Sequence, residues 1–558
     1  MKRSSQRSGC AQDVRSHLAD GDGGHLFKRL LWLALVGAVV IVAFARTPLG
    51  DVHWDSPIYL YQAKRFAETP YVHDIAASSR QIVAQIAGNW PEDEGYSEAY
   101  WRASRLGHIA ILGVLVDALG STANAVLAAH WLFVIAMPLG LFAWCRVALL
   151  AGRLIDPDER LGLGLCFSAL LFVLSDIYAY LSGNLVSEVI SFGLGGAAVW
   201  ALLAAVSTGA VMLAAVSGVL AVLGYMVRVE SVWAWLAFML AFLAFSPAQP
   251  ARQTLLRCYV IAGAVALLGY ALYAWFFHPL ADPRHYLEFA GSLVNRARSG
   301  VHPLNLVFVV GGMLWLGAAL ALALFVRSPL VRFGGLWLLL AGLPSWWLVA
   351  AGSEVQTRML IGLVPPLVLL SALGWCWVFG GWRTPMRRGM LGATLVLLLI
   401  VRPPVYGWLV EQPGVWRIQR LGAAMFVPKY ERIDYQPQAM AVISAHVFDA
   451  QAVPTVLLRG VTVQQEYLNL IRFFGPSYSS DARLALVGDP TNPGACEHKL
   501  DRPDEPVRFC TGFAGESALP EAVEAGRVFN LRRDQVAPLL GATERLRAGG
   551  FVLEHLGR

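Results

Sequence analysis

Two aspartates lie close together near the start of the chain, in the segment DVHWDSPIY that begins at Asp51. Asp55 precedes Ser56 and Pro57, which is typical of a helix start, because a carboxylate can cap free backbone N–H groups and proline fits the first turn. The same carboxylate could act as a general base and accept a proton from a hydroxyl group. Asp51 could do the same or hold a cation. The residues leave helix capping and proton transfer open for Asp55.

Arginines at the predicted ends of apolar segments are the second set of candidates. The guanidinium of Arg228 or Arg358 offers a fork of donors that suits a phosphate group. The alternatives are contact with lipid headgroups or pairing with Glu230 or Glu354 nearby in the sequence. Arg105, Lys64 and Arg65 are further cationic candidates. Glu188 begins an apolar segment, where it could stabilise a helix N-terminus or orient a reacting group.

The composition indicates that these residues are held by a membrane protein. The chain of 558 residues is 56% hydrophobic and 15% charged, with a mean hydropathy of +0.54. Soluble domains carry about a quarter charged residues. The basic residues are spread over short loops, which excludes the clustered basic face of a nucleic-acid-binding protein.

Apolar runs of spanning length predict an all-α polytopic domain with about 11 transmembrane helices. The predicted spans are 28–46, 124–147, 160–180, 187–206, 209–227, 231–247, 258–276, 305–326, 333–351, 360–380 and 389–402. The shorter run 106–119 carries His108 and Asp117, so we expect an interfacial helix there.

The distribution of basic residues in the loops predicts the orientation. The polar tail 1–27 is basic and no cleavage site follows the first run, which predicts a cytoplasmic N-terminus with an uncleaved first span. Basic residues then recur in most of the alternate loops, although the one around Ser207 has none, and these alternate loops are assigned to the cytoplasm. We therefore expect the long loop 47–105 and the C-terminal segment 403–558 to lie outside, and the transmembrane domain to cover 28–402.

The segment 403–558 is predicted to be a small soluble α/β domain, because charged residues, proline and glycine return there. Residues 439–446 and 454–458 are predicted to form strands, whereas 517–526 and 533–549 are predicted to form helices. Cys496 and Cys510 both fall in this domain. A cysteine pair in an oxidising compartment favours a disulfide, and the reduced alternative stays open because spacing does not fix geometry.

Five short segments lie in order along the predicted membrane domain: 54–68 (WDSPIYLYQAKRFAE), 100–108 (YWRASRLGH), 184–188 (NLVSE), 225–230 (YMVRVE) and 356–366 (QTRMLIGLVPP). Together they resemble the GT-C superfamily of membrane glycosyltransferases, which includes protein O-mannosyltransferases and lipid A aminoarabinose transferases. The resemblance covers about residues 28–380. It departs from the family pattern where Arg105 to His108 replace a proline-rich step and where Val229 replaces a proline.

The resemblance implies an inverting enzyme that moves a sugar from a polyprenyl-phosphate carrier to an acceptor hydroxyl on the outer face of the cytoplasmic (inner) membrane. It implies Asp55 as general base, with Asp51 and Glu188 as further catalytic candidates. Arg358, Arg228, Arg105, Lys64 and Arg65 would bind the donor phosphate, whose charge grows as the glycosidic bond breaks. The partners would be the lipid-linked sugar and a glycan, lipid or protein acceptor.

Two other functions fit a polytopic membrane chain. An O-antigen polymerase or ligase typically has its long external loop late among the spans, whereas here it follows the first span. A transporter often shows repeats and charges near the bilayer midplane, and neither is evident here. No cofactor is indicated with certainty, and a divalent metal ion remains compatible with the resemblance, although no metal-ligand spacing of histidines is present.

Overall fold

The computed structural model gives the architecture of the chain over a defined set of residues. It describes residues 33, 36–37, 40, 56–68, 105–157, 161–182, 184–245, 251–277, 312–322, 324–350, 357–380, 437–448, 455–459, 470–471, 473–475, 483–487, 510–511, 528–538 and 541–556. The predicted spans 28–46 and 389–402 lie wholly or mostly outside this set.

The membrane domain is a bundle of apolar α-helices. Its helices are α1 (Ser56–Ala67), α2 (Leu106–Leu119), α3 (Ala123–Ile155), α4 (Gly162–Val173), α5 (Asp176–Ser182), α6 (Ser187–Thr208), α7 (Val211–Val227), α8 (Glu230–Phe245), α9 (Ala251–Phe277), α10 (Gly312–Leu322), α11 (Pro329–Ala350) and, after a 3-10 helix (Thr357–Leu363), α12 (Val364–Gly380). Helix α1 begins at Ser56, as the Asp-Ser-Pro segment predicts.

Four of the helical stretches among the described residues are long and apolar enough to cross a membrane: Ala123–Ile155, Ser187–Thr208, Arg252–Phe277 and Leu360–Val378. Shorter apolar helices occupy most of the other predicted spans within the described ranges. The membrane domain is thus confirmed as helical, although the count of eleven spans is not. Helix α9 exposes large apolar side chains such as Val260, Leu267 and Trp275, as expected for a surface that faces lipid.

Small residues let the helix backbones approach closely, as is usual in membrane bundles. A Cβ at Gly140 of α3 would lie 3.0 Å from the Cα of Gly193 in α6, and Trp144 Nε1 donates to the carbonyl of Phe192 at 3.0 Å. Helices α4 and α12 are joined by a hydrogen bond of 3.0 Å between Ser168 and Ser371. The core of the bundle is therefore built from distant parts of the sequence.

The C-terminal region contains helix α13 (Pro437–Phe448) and a six-stranded mixed sheet of order β3-β2-β1-β4-β6-β5. The strands are β1 (Thr455–Arg459), β2 (Arg483–Val487), β3 (Cys510–Thr511), β4 (Val528–Arg533), β5 (Ala542–Ala548) and β6 (Phe551–Leu556). Strand β1 pairs in parallel with β2 and β4, whereas β6 is antiparallel to β4 and β5. Parallel strands and a helix together fit the predicted α/β class.

Two elements predicted within this region are wrong. Residues 439–446 form part of helix α13, because Met440, Ile443 and Val447 recur at helical spacing and are all buried. Within 533–549 the described residues contain no helix: Arg533 ends β4 and 542–548 form β5. Gly549 and Gly550 both have positive φ (57° and 78°) and make a tight hairpin between β5 and β6. The strand predicted at 454–458 is confirmed as β1, and 517–526 lies outside the described residues.

The crossing of α10 and α12 depends on Gly374. A Cβ there would overlap the carbonyl oxygen of Gly317, a backbone atom that cannot move aside cheaply. We expect Gly374→Ala to destabilise the protein by about 1–3 kcal/mol through overpacking. Gly263→Ala is the matched control, because a Cβ there meets nothing within 4 Å. Thermal unfolding in detergent should show a lower melting temperature for Gly374→Ala alone, and equal melting of both variants would contradict the crossing.

Candidate active site

A buried cluster of charges lies where α6 begins, α7 ends and α8 begins. We call Ser187, Glu188, Arg228 and Glu230 the Arg228 cluster. Arg228 Nη1 lies 2.8 Å from Glu188 Oε1, and Nη2 lies 2.6 Å from Glu230 Oε1. Nη1 also donates to Ser187 Oγ at 3.3 Å. The side chains of Arg228 and Glu188 are 4% and 0% exposed, so water screens their attraction very little.

The local sequence explains why the charges meet. Arg228 ends α7 in extended backbone conformation (φ −164°, ψ 123°), which turns its side chain toward the neighbouring helix starts. Glu188 and Glu230 stand in the first turns of α6 and α8, where the positive end of a helix dipole favours a carboxylate. Two carboxylates face one guanidinium, so the Arg228 cluster carries one unit of excess negative charge when all three are ionised.

The segment that leads into Glu188 is fixed by two other helices. The Leu185 N–H donates to Ser56 Oγ at 3.1 Å, and His108 Nε2 lies 3.2 Å from the Leu185 carbonyl oxygen. Leu185, Ser56 and His108 are all fully buried. The start of α1, directly after Asp55, is therefore linked to the start of α6, three residues before Glu188.

Arg105 lies at the start of α2 beside this segment. Its side chain is buried, and its guanidinium carbon stands 5.5 Å from the centre of the Tyr59 ring in α1. The ring of His108 is edge-on to the same tyrosine, with 4.8 Å between ring centres. Arg105 is thus the second guanidinium brought to this end of the bundle, where it makes a cation–π contact with Tyr59.

Lys64 of α1 reaches the C-terminal region. Its Nζ donates to the carbonyl oxygen of Gly475, 411 residues later in the chain, and the residue is buried. The Gly475 N–H donates to the Ile471 carbonyl oxygen at 2.9 Å, so the carbonyl that accepts Lys64 follows a single helical turn. Desolvation lowers the pKa of Lys64, and the charge of Glu68 opposes this shift.

Arg65, although next to Lys64, has a local partner. Its guanidinium stands 5.7 Å from the ring centre of Tyr61, one turn earlier, and Nη1 donates to the Tyr61 hydroxyl at 3.1 Å. Lys64 and Arg65 therefore contribute to different contacts, although the sequence placed them in one group of phosphate ligands.

Other predicted residues lie partly or wholly beyond the described set. Asp51 and Asp55 lie outside it. Arg358 belongs to the 3-10 helix Thr357–Leu363, which packs against α6 and α11, but its side chain is not described. Cys510 lies in β3 and Cys496 lies outside the described residues, so their disulfide remains a prediction.

The structure adds residues that the sequence analysis did not single out for a role. Ser56 and His108 hold the Leu185 peptide, and the Gly475 carbonyl receives Lys64. The signal for His108 was a histidine at the start of an apolar segment, whereas nothing local in the sequence indicates the Gly475 contact. Among the described residues, no three His, Cys, Asp or Glu side chains are grouped as metal ligands.

Comparisons with known proteins identify the architecture. No protein-family model and no curated protein sequence matches the chain. The structure of ArnT from Cupriavidus metallidurans bound to undecaprenyl phosphate superposes with a TM-score of 0.52 over 96% of this chain and 98% of ArnT, at 13% sequence identity. The fold is similar to that of ArnT. The fold that the sequence resemblance implied is therefore confirmed.

Two further structures match. The apo state of the same ArnT gives a TM-score of 0.52 at 12% identity, over 94% of this chain and 97% of that one. The oligosaccharyltransferase AglB from Archaeoglobus fulgidus, in complex with an inhibitory peptide and a dolichol-phosphate, gives a TM-score of 0.48 at 11% identity, over 91% of this chain and 70% of AglB. The chain is a membrane protein, and its architecture matches 98% of the length of ArnT.

The Arg228 cluster should be essential for stability. Arg228→Met leaves Glu188 buried without its cation, which typically costs about 3–5 kcal/mol when one partner of a buried pair is removed. Thermal unfolding in detergent should therefore show a large decrease in melting temperature. The double variant Arg228→Met/Glu188→Gln should recover part of the loss, because it removes the uncompensated charge.

Arg547→Met is the control for this experiment. Arg547 pairs with Glu544 on the surface at 2.9 Å, and the two side chains are 57% and 45% exposed. Exposed pairs contribute little, so we expect wild-type melting from this variant. Wild-type melting of Arg228→Met would contradict the role of the Arg228 cluster in joining α6, α7 and α8.

Lys64→Met should loosen the contact between α1 and the C-terminal region without disturbing α1 itself. The methionine keeps an apolar stem of similar length but cannot donate to Gly475. We expect faster hydrogen exchange in the segment around Gly475 and faster proteolytic cleavage of the C-terminal region. Arg65→Met is the neighbouring control, and equal exchange in both variants would show that the Lys64 contact does not hold this region.

Proposed function

We propose that the chain is an inverting glycosyltransferase that moves a sugar from a polyprenyl phosphate to an acceptor hydroxyl on the outer face of the cytoplasmic membrane. The fold supports this general reaction, because the ArnT structure with the same architecture holds undecaprenyl phosphate. The reaction needs a base for the acceptor hydroxyl and cationic groups for the leaving phosphate near one point at the membrane edge. The charged end of this bundle offers candidate residues for both roles.

The observation that carries the proposal is the link between the start of α1 and the Arg228 cluster. Asp55 directly precedes Ser56, and Ser56 accepts the N–H of Leu185, three residues before Glu188. Because Asp55 is the residue before Ser56 in the sequence, we propose that its carboxylate acts at the same end of the bundle as Glu188 and Arg228. General acid–base catalysis requires groups held at short range in fixed geometry.

The proposed step is a single displacement at the anomeric carbon. Asp55 takes the proton of the acceptor hydroxyl as its oxygen forms a bond to that carbon on the face opposite the phosphate. The bond between the anomeric carbon and the phosphate oxygen breaks, and its electron pair leaves with the polyprenyl phosphate. One displacement inverts the configuration at the anomeric carbon.

The ion pairs of Arg228 suggest different roles for the charged residues of the site. Arg228 already faces two carboxylates, so we assign it first to holding Glu188 in place and only second to the donor phosphate. Glu188, held in this way, would orient the acceptor or Asp55. Arg358 and Arg105, with Lys64 and Arg65 nearer the C-terminal region, are then the proposed cations for the leaving phosphate, whose charge preorganised donors stabilise.

The arrangement in the membrane is part of the same proposal. The N-terminus 1–27 would be cytoplasmic, and the transmembrane domain 28–402 would carry the site at the outer surface. The domain 403–558 would lie outside and contact α1 through Lys64, where it could take part in acceptor selection. The acceptor is a glycan, a lipid or a protein, and Cys496 and Cys510 are proposed to pair in the oxidising compartment.

Reconstitution tests the function directly. The purified full-length chain in proteoliposomes is supplied with undecaprenyl phosphate carrying mannose, arabinose or aminoarabinose, together with cell-envelope extract from a deletion strain. We expect sugar transfer to the extract and release of free undecaprenyl phosphate, both measured by mass spectrometry. Movement of the lipid-linked sugar across the bilayer without transfer would overturn the proposal in favour of a transporter.

Asp55→Asn tests the general base. The amide keeps the size and helix-capping ability of the aspartate but cannot take a proton, so turnover should fall by about 100-fold or more. Asp51→Asn is the matched variant, since Asp51 is the other acid of the same segment. Retained turnover in Asp55→Asn with loss in Asp51→Asn would transfer the role to Asp51, and retained turnover in both would remove the assignment.

A further inference from the structure

The peptide group of Leu185 is held from both sides by side chains of two different helices. Ser56 Oγ, at the start of α1, accepts its N–H at 3.1 Å, and His108 Nε2, in the first turn of α2, contacts its carbonyl oxygen at 3.2 Å. Both bonds are buried and join residues 129 and 77 positions apart in the sequence. We call these three residues the Leu185 clamp.

The protonation state of His108 is fixed by its surroundings. A carbonyl oxygen can only accept, so Nε2 must carry the proton. Burial, assisted by the charge of Arg105, lowers the pKa of His108 to about 3, while Glu188 opposes the shift. The imidazole is therefore neutral at physiological pH and presents one constant donor to Leu185.

Packing also fixes the position of the His108 ring. The rings of Tyr59 and Phe133 meet it edge-on, with ring centres 4.8 and 5.5 Å away. Its neighbour Gly107 is pressed against α7: a Cβ there would lie 3.0 Å from the carbonyl carbon of Met226, two residues before Arg228. His108 therefore stands where α1, α2, the start of α6 and the end of α7 meet.

Packing alone does not require a histidine at this position. Nδ1 of His108 is buried and has no hydrogen-bond partner in the described part of the chain. An unpaired buried polar atom costs free energy, and a phenylalanine would fill a similar volume among Tyr59 and Phe133 without that cost. The feature that a phenylalanine would lack is the donor to Leu185.

We propose that His108, together with Ser56, is a positioning residue that sets the placement of Glu188 by clamping the Leu185 peptide. Glu188 lies three residues after Leu185, in the first turn of α6. The role in turnover rests on the proposed function. The Leu185 clamp itself is a feature of the fold, and it can be tested separately from turnover.

The test uses four variants of the full-length chain. His108→Phe removes the donor and keeps the packing, whereas His108→Gln keeps an N–H donor of similar reach. Ser56→Ala removes the other half of the clamp. His130→Phe is the matched control, because His130 is an equally buried histidine whose ring contacts Val126 of its own helix α3 at 3.0 Å.

Hydrogen exchange measures the clamp without reference to activity. We expect the peptide that covers residues 184–188 to exchange about 10-fold faster in His108→Phe and in Ser56→Ala, because local opening exposes the Leu185 amide. The wild-type rate should persist in His108→Gln and His130→Phe, and melting temperatures of all four should stay near that of the wild type. Unchanged exchange in both His108→Phe and Ser56→Ala would overturn the clamp.

Turnover measures the positioning role. In His108→Phe we expect kcat to fall by about 10- to 100-fold with little change in the KM for the lipid-linked donor, since a misplaced group affects the reacting geometry more than binding. His108→Gln should restore most of kcat. The double variant Ser56→Ala/His108→Phe should lower kcat by less than the product of the two single decreases, because both substitutions act on one peptide. Wild-type kcat in His108→Phe would overturn the role.

A failure of the proposed function can be distinguished from a failure of the positioning role of His108. Absence of sugar transfer by the wild-type protein would defeat the proposed function and with it the role in turnover, while the exchange result would still decide whether the clamp exists. Transfer by the wild type with unchanged kcat in His108→Phe would defeat the positioning role alone.

Discussion

The Arg228 cluster is the interaction on which the charged end of the bundle depends. An ion moved from water into an apolar interior costs several kcal/mol even after the protein relaxes, so Glu188 and Arg228 can be buried only together. That requirement brings the start of α6, the end of α7 and the start of α8 together at one end of the bundle. The same requirement explains why these helices end where they do, with Arg228 in extended backbone between α7 and α8.

Much of the membrane domain could be predicted because hydropathy and charge act locally. The apolar runs gave the positions of most helices within a few residues, and the Asp-Ser-Pro segment gave the start of α1. Glu188 and Arg228 were selected as charges at the ends of apolar segments, and the structure brings them into direct contact. What could not be predicted is pairing between distant segments: neither the bond from Ser56 to Leu185 nor the contact of Lys64 with Gly475 leaves a local signal in the sequence.

The C-terminal region shows where local reasoning fails. The short apolar run after Pro437 is compatible with both a strand and a helix, and the burial of Met440, Ile443 and Val447 on one side settled the choice in favour of the helix. Residues 533–549 are predicted as a helix, but they contain strand β5, and the two successive glycines Gly549 and Gly550 with positive φ form the hairpin that pairs β5 with β6. The Gly-Gly pair was the available signal, since few other residues tolerate that backbone conformation.

The contact between Lys64 and Gly475 imposes an order on the biosynthesis of the protein. Lys64 is made early and its partner carbonyl 411 residues later, which corresponds to roughly 20–80 s at about 5–20 residues per second. During that interval the Lys64 ammonium group cannot meet the Gly475 carbonyl oxygen. A truncated product that ends before residue 475 would contain the sequences of helices α1 to α13 and still lack this contact.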